Sequence, residues 1–251
     1  MKRLAWAVAT ALISSFASPR PFAAERLTRQ VDWRSGAPMS GVDSLDQDAE
    51  GFLWLGTPQG LIRYDGMDMR VVDSGSNFIV SGCARTGRVR TIRVVGERRE
   101  LVEISGTTVV TIPGPASGQS LGAACSDDGL LWAVTDGVIW RQSLDGAWTK
   151  VDAKAPSGGW DYIAPGSKGA VLGLSDRSIY RVSPEGRAEL LARLHRIMAC
   201  LIASDGALVA LDWMKEGARL VRIREGKVEE LAFQSNRPMA LIEREGTIWA
   251  T

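Results

Sequence analysis

The sequence predicts an all-β chain, a β-propeller of four-stranded antiparallel blades with five blades and an incomplete sixth. Three observations point there. A turn–strand–turn–strand motif centred on Trp54 recurs at Arg90, Trp132, Leu172, Val209 and Trp249, at intervals of 36, 42, 40, 37 and 40 residues. A four-stranded unit repeating every ~40–45 residues is the sequence form of a propeller blade. The 27 Gly and nine Trp among 251 residues suit tight turns and aromatic-filled sheets. No stretch sustains a 3.6-residue apolar period; Glu189 to Ile197 comes nearest and is too short to build a helical class.

In chain order, Leu27 to Trp33 alternates as an edge strand, and Gly36 to Gly41 forms a loop. Val42–Asp46 opens the first unit. Glu50-Gly51 turns the chain into Phe52–Gly56, Pro58-Gln59-Gly60 into Leu61–Tyr64, and Asp65-Gly66 into Met69–Val72, an antiparallel meander. The second unit runs from Gly87 to Gly106. The third carries Asp128-Gly129, Trp132, Val138–Arg141 and Asp145-Gly146; the fourth Lys168-Gly169, Ser178–Arg181 and Glu185-Gly186. The fifth carries Asp205-Gly206, Arg219–Arg222 and Glu225-Gly226, and the sixth begins at Glu245-Gly246. The blades span about 38–73, 78–111, 121–152, 161–193, 198–233 and 238–251. A propeller's last blade pairs back on its first strand, and Thr251 ends inside a second strand. The ring is therefore expected to be unfinished, and the chain to be the N-terminal piece of a longer protein.

Thirty basic against 29 acidic residues leave no basic footprint for nucleic acid. Residues 1–24 read as a cleavable export signal: Lys2 and Arg3, an apolar run from Leu4 to Ile13, then small residues to Ala24. That run is short of the ~20 residues a membrane helix needs. The partial propeller of 25–251 is expected in the periplasm. Cys83, Cys125 and Cys200 lie on the first strands of their repeats and are expected to be buried, inert thiols. With one histidine in the chain they provide no zinc set.

The segment from Val42 to Gly66, with Asp48, Gly51, Trp54-Leu55-Gly56-Thr57 and Gly60-Leu61-Ile62-Arg63-Tyr64-Asp65-Gly66, resembles the two-component regulator propeller repeat. Ser35 to Ser40 resembles the lead-in to the first blade of such proteins. The likeness is close over 42–66, fair over 125–146 and 245–251, and degenerate elsewhere, where Arg90, Leu172 and Val209 replace the Trp. The resemblance implies a periplasmic sensor domain of a histidine kinase or diguanylate cyclase receptor. It also implies seven-bladed rings, a membrane connection through a C-terminal part, and room for a homodimer of the full receptor. The motif residues themselves build blades: Gly51 and Gly60 serve turns, Trp54 the blade interface, and Gly56 a close strand approach.

Site candidates come from topology. Links from one blade's outer strand to the next blade's inner strand cross the channel mouth. They carry Asn77 and Phe78; Gln119 and Ser120; Trp160, Asp161 and Tyr162; His195 and Arg196; Asn236 and Arg237. Amides, aromatics and charges at one mouth suit a small polar ligand or an oligosaccharide, with Trp160 and Tyr162 foremost. Asp46 to Gly51 opens like a calcium loop but has Thr57 where the bidentate Glu belongs. Gly118–Gly122 fits G-x-S-x-G without the strand-to-helix setting. No cofactor or metal is expected. The predicted function is non-catalytic ligand sensing; the alternatives are a propeller lyase, disfavoured by the single histidine, and a protein-binding scaffold.

Overall fold

The computed structural model describes residues 41–80, 83, 89–115, 121–155, 159–231, 240–244 and 247–250. These form 22 strands and no α-helix. Blade 1 is β1 (Ser44–Gln47), β2 (Leu53–Thr57), β3 (Gly60–Tyr64) and β4 (Met69–Ser74); blade 2 is β5 (Asn77–Val80), β6 (Val89–Val95), β7 (Arg98–Ser105) and β8 (Thr108–Thr111). Blade 3 is β9 (Leu121–Cys125), β10 (Leu131–Thr135), β11 (Val138–Gln142) and β12 (Trp148–Lys150). Blade 4 is β13 (Tyr162–Pro165), β14 (Val171–Ser175), β15 (Ser178–Val182) and β16 (Ala188–Arg193). Blade 5 is β17 (Ile197–Ile202), β18 (Leu208–Met214), β19 (Gly217–Arg224) and β20 (Lys227–Leu231). The sixth unit is the hairpin β21 (Leu241–Arg244) and β22 (Thr247–Ala250). Every sheet is an antiparallel meander in chain order.

The blade motif has a hydrogen-bonding logic. Asp48 accepts the Glu50 and Phe52 N–H groups across the first turn, and its second oxygen accepts the Trp54 indole N–H at 2.8 Å. One carboxylate thus closes the turn and satisfies the donor of a buried Trp. In blade 3, Ser126 stands where Asp48 does and accepts the Trp132 indole at 2.9 Å. Asp48 is a turn residue, in keeping with a plain acidic turn at 46–51. Gly56 is required for a different reason: a Cβ there would collide with the Ser44 hydroxyl and the Phe78 carbonyl.

The core lies between the blades. The aliphatic and aromatic faces of neighbouring sheets form successive clusters from blade 1 round to the sixth unit. Leu45, Leu55 and Ile62 of blade 1 pack against Ala240 and Ile242 of the sixth. The sixth unit has two strands, yet β21 lies against both β17 and β1. The inner strands of all six units together line a narrow channel of about 110 Å³.

Two cysteines depart from the expectation of inert thiols. Cys83 and Cys125 form a disulfide, with Cα atoms 4.8 Å apart. Their separation of 42 residues is one repeat, which sets equivalent positions of adjacent blades side by side; a long separation in sequence does not mean distance in a repeat fold. Cys200 is a buried free thiol, and burial pushes its pKa up to about 12. The edge strand expected at 27–33, the 35–40 lead-in and the export signal lie outside the described residues.

Candidate functional site

Between blades 4 and 5, at the end of the propeller where one blade links to the next, is a recess of about 280 Å³. Asp161, Tyr162, Arg177, His195 and Arg196 are among its lining residues. It is built on three pieces of backbone. Asp161 N–H donates to Leu174 O at 2.9 Å and leads into β13. Asp176 and Arg177 form the turn from β14 to β15, with φ of +44° and +62°. Residues 194–196 link β16 to β17, and Leu194 N–H donates to Arg177 O at 2.9 Å. The β17–β18 pairing then shifts register between Ile197 and Ala199, which turns the link over the recess.

A buried carboxylate fixes this link. Asp212, on β18, has no exposed side-chain surface. One of its oxygens accepts the His195 and Arg196 backbone N–H groups at 2.8 and 3.1 Å. The other accepts the Arg219 guanidinium at 2.9 and 3.1 Å and lies 3.2 Å from His195 Nδ1. Burial pushes the Asp212 carboxyl up. Hydrogen bonds from the Arg196 N–H, the Arg219 guanidinium and His195 outweigh that, so the group sits below its ordinary value and stays ionised. A carboxylate beside Nδ1 favours the proton on that nitrogen, which leaves Nε2 as the basic one. The imidazole itself is largely exposed.

Tyr162 belongs to two spaces, lining both the recess and the central channel. Tyr162 is 37% exposed, so its desolvation is partial; that desolvation moves its hydroxyl upward from an ordinary value at which it is already a neutral donor. Asp161 accepts the Asp176 N–H at 3.2 Å and steadies the neighbouring turn.

Asp161, Tyr162, His195 and Arg196 thus come together. Of the other proposed mouth residues, the three that the structure describes do not join them. Trp160, expected at the mouth, points into the core: it is 3% exposed, packs edge-on to Tyr180 and donates its indole N–H to Ala153 O. Gly173 makes this possible, since a Cβ there would lie 2.6 Å from the Trp160 ring. Phe78 is wholly buried between blades 1 and 2. Asn77 begins β5 rather than lying on a link, and its Oδ1 is buried without a partner among the described residues. Gln119, Ser120, Asn236 and Arg237 lie outside the described residues.

Sequence reasoning missed Asp212, Arg219 and Arg177. The first two had a signal: an aspartate closing the apolar run Leu208–Leu211, with an arginine seven residues on across a hairpin. Among the described residues, no three His, Cys, Asp or Glu side chains cluster as a metal-binding group.

No protein-family model matches the chain, and no curated protein matches it. Solved structures match its fold. A catalytically inactive histidine-to-alanine form of virginiamycin B lyase from Staphylococcus aureus, with quinupristin, is similar over 84% of this chain and 77% of its own (16% identity, TM-score 0.58). The extracellular domain of a protein assigned as a one-component system from Bacteroides thetaiotaomicron is similar over 86% of this chain and 37% of its own (13% identity, TM-score 0.53). A protein assigned as an oxidoreductase (glucose dehydrogenase) from Thermus thermophilus is similar over 83% of this chain and 89% of its own (14% identity, TM-score 0.57). The chain is a β-propeller.

The same matches correct the expectation of a chain without catalysis. Solved structures of enzymes share this fold as fully as a receptor domain does, so the repeat motif gives no ground for excluding an enzyme. The single histidine is held against a buried carboxylate beside the recess.

Proposed function

We propose that this propeller is the ligand-recognition part of an extracytoplasmic signalling receptor and binds a small polar ligand in the recess between blades 4 and 5. One observation carries the reading: Asp161 and Tyr162 at the start of β13 converge there with His195 and Arg196, whose backbone is pinned by the buried Asp212 carboxylate. A rigid recess with few, well-placed polar groups is the usual form of a small-ligand site. At about 280 Å³ it accommodates a small molecule or one residue of an oligosaccharide. The placement outside the cytoplasm draws support from the Cys83–Cys125 disulfide, from the basic–apolar–small pattern of residues 1–24, and from the likeness to an extracellular receptor domain.

A second reading is favoured by the His195–Asp212 pair, since an imidazole with Nδ1 on a buried carboxylate is equipped as a general base. Both readings use the same recess and one experiment separates them. Ligands are screened by thermal shift against the wild type, then against Tyr162→Ala, Arg196→Ala and His195→Gln. The receptor reading expects a ligand that stabilises the wild type, loses effect in the first two variants, and is recovered unchanged. Consumption of that ligand by the wild type but not by His195→Gln selects the catalytic reading. A ligand bound equally well by Tyr162→Ala and Arg196→Ala overturns the recess as the site.

A further inference from the structure

We infer that the ligand of this recess is an anion, held through a carboxylate by Arg177 and Arg196, and that Arg177 is a binding residue; this rests on the recess being the ligand site. The first ground is charge. Asp212 is matched by Arg219, and Asp161 keeps its negative charge while accepting the Asp176 N–H, so the lining sets one carboxylate against two further guanidiniums. Arg177 and Arg196 remain, both exposed, both lining the recess, and neither guanidinium with a hydrogen-bond or ion-pair partner among the described residues. Two guanidiniums around a concave site match the planar fork of a carboxylate.

The second ground is backbone conformation. The Asp176-Arg177 turn has both residues at positive φ, the two-residue hairpin geometry that favours Gly at its second position. The equivalent turn of blade 3 obeys that preference with Asp136-Gly137. The two turns are otherwise alike, since Gly137 O accepts Trp160 N–H as Arg177 O accepts Leu194 N–H. In blade 3 the Gly is also required by contact with Gly159, whereas blade 4 leaves the side chain open to the recess. Blade 4 therefore carries a long cationic residue in a conformation costly for any side chain, at the one place where it reaches the recess.

The chain's single histidine makes the test direct, because His195 alone supplies imidazole signals in an NMR spectrum. Succinate, inorganic phosphate and xylose are titrated into the wild type, Arg177→Gly and Arg177→Lys. Gly suits a φ of +62° better than Arg, so Arg177→Gly should keep or raise the melting temperature. Succinate is expected to shift the His195 signals of the wild type and to bind Arg177→Gly about tenfold or more weakly. Arg177→Lys should recover part of that loss, and added salt should weaken binding. A stronger phosphate response would reassign the anion class and overturn the carboxylate assignment. Xylose shifting the signals while both anions do nothing overturns the inference and leaves the recess as a ligand site. Equal succinate affinity in Arg177→Gly removes Arg177 from it.

Discussion

Cys83 and Cys125 are one repeat apart in sequence and are bonded to each other across the interface of blades 2 and 3. The bond sits within a cluster of Ile92, Leu101, Ala123, Leu131 and Ala133, so it crosslinks two sheets through their shared core. Reduction, or the paired change Cys83→Ser/Cys125→Ser, releases a 42-residue loop and should cost about 2–4 kcal/mol. Urea denaturation with and without reductant measures it. An unchanged midpoint would show that the bridge adds nothing to stability.

Cys200 should behave oppositely. Its buried, protonated thiol is expected to resist iodoacetamide in the folded protein at pH 8 and to react promptly in denaturant. Mass spectrometry of the alkylated protein counts the modification. Ready native-state labelling would contradict the packing around β17.

Asp212 sets an acid limit on the blade 4–5 link. Its folded pKa lies below its ordinary 3.8, so its contribution is fully present above the unfolded value and is lost as pH falls through the folded one. Stability between pH 5 and pH 2 should fall less steeply in Asp212→Asn than in the wild type. At pH 7 the substitution should cost about 2–3 kcal/mol, since it leaves Arg219 facing a neutral amide and weakens the hold on residues 195–196. Denaturation midpoints across that pH range test both. Parallel curves would remove Asp212 from the acid response.

Gly56→Ala should be among the most damaging single-methyl changes available. The added carbon would strike the Phe78 carbonyl, a backbone atom of the next blade, so the interface must open. A loss of about 2 kcal/mol or more is expected, read from thermal unfolding. Full stability in that variant would mean that β2 and β5 part easily.

The sequence revealed those parts of the molecule that act locally. Gly-closed turns and the Trp54 spacing placed the strands, because a meander's hydrogen bonds join neighbours in sequence. Propeller topology indicated where links cross, but it gathered all the link residues at one channel mouth, whereas Asp161, Tyr162, His195 and Arg196 line a recess between blades 4 and 5. What stayed hidden depended on a facing surface. Trp160 turns inward because Gly173, across the sheet, leaves a slot for it. Asp212 organises a link 16–17 residues away from inside a strand that reads as plain core. The cysteines were placed at equivalent repeat positions, but their bond needed the angle between two blades.

Tyr162 stands where the recess and the central channel share a wall, and on its far side a Cβ on Gly122 of blade 3 would lie 3.6 Å from its ring. Tyr162 is therefore common to the rim and the axis of the molecule. Any substitution that removes its ring enlarges the recess and the channel together.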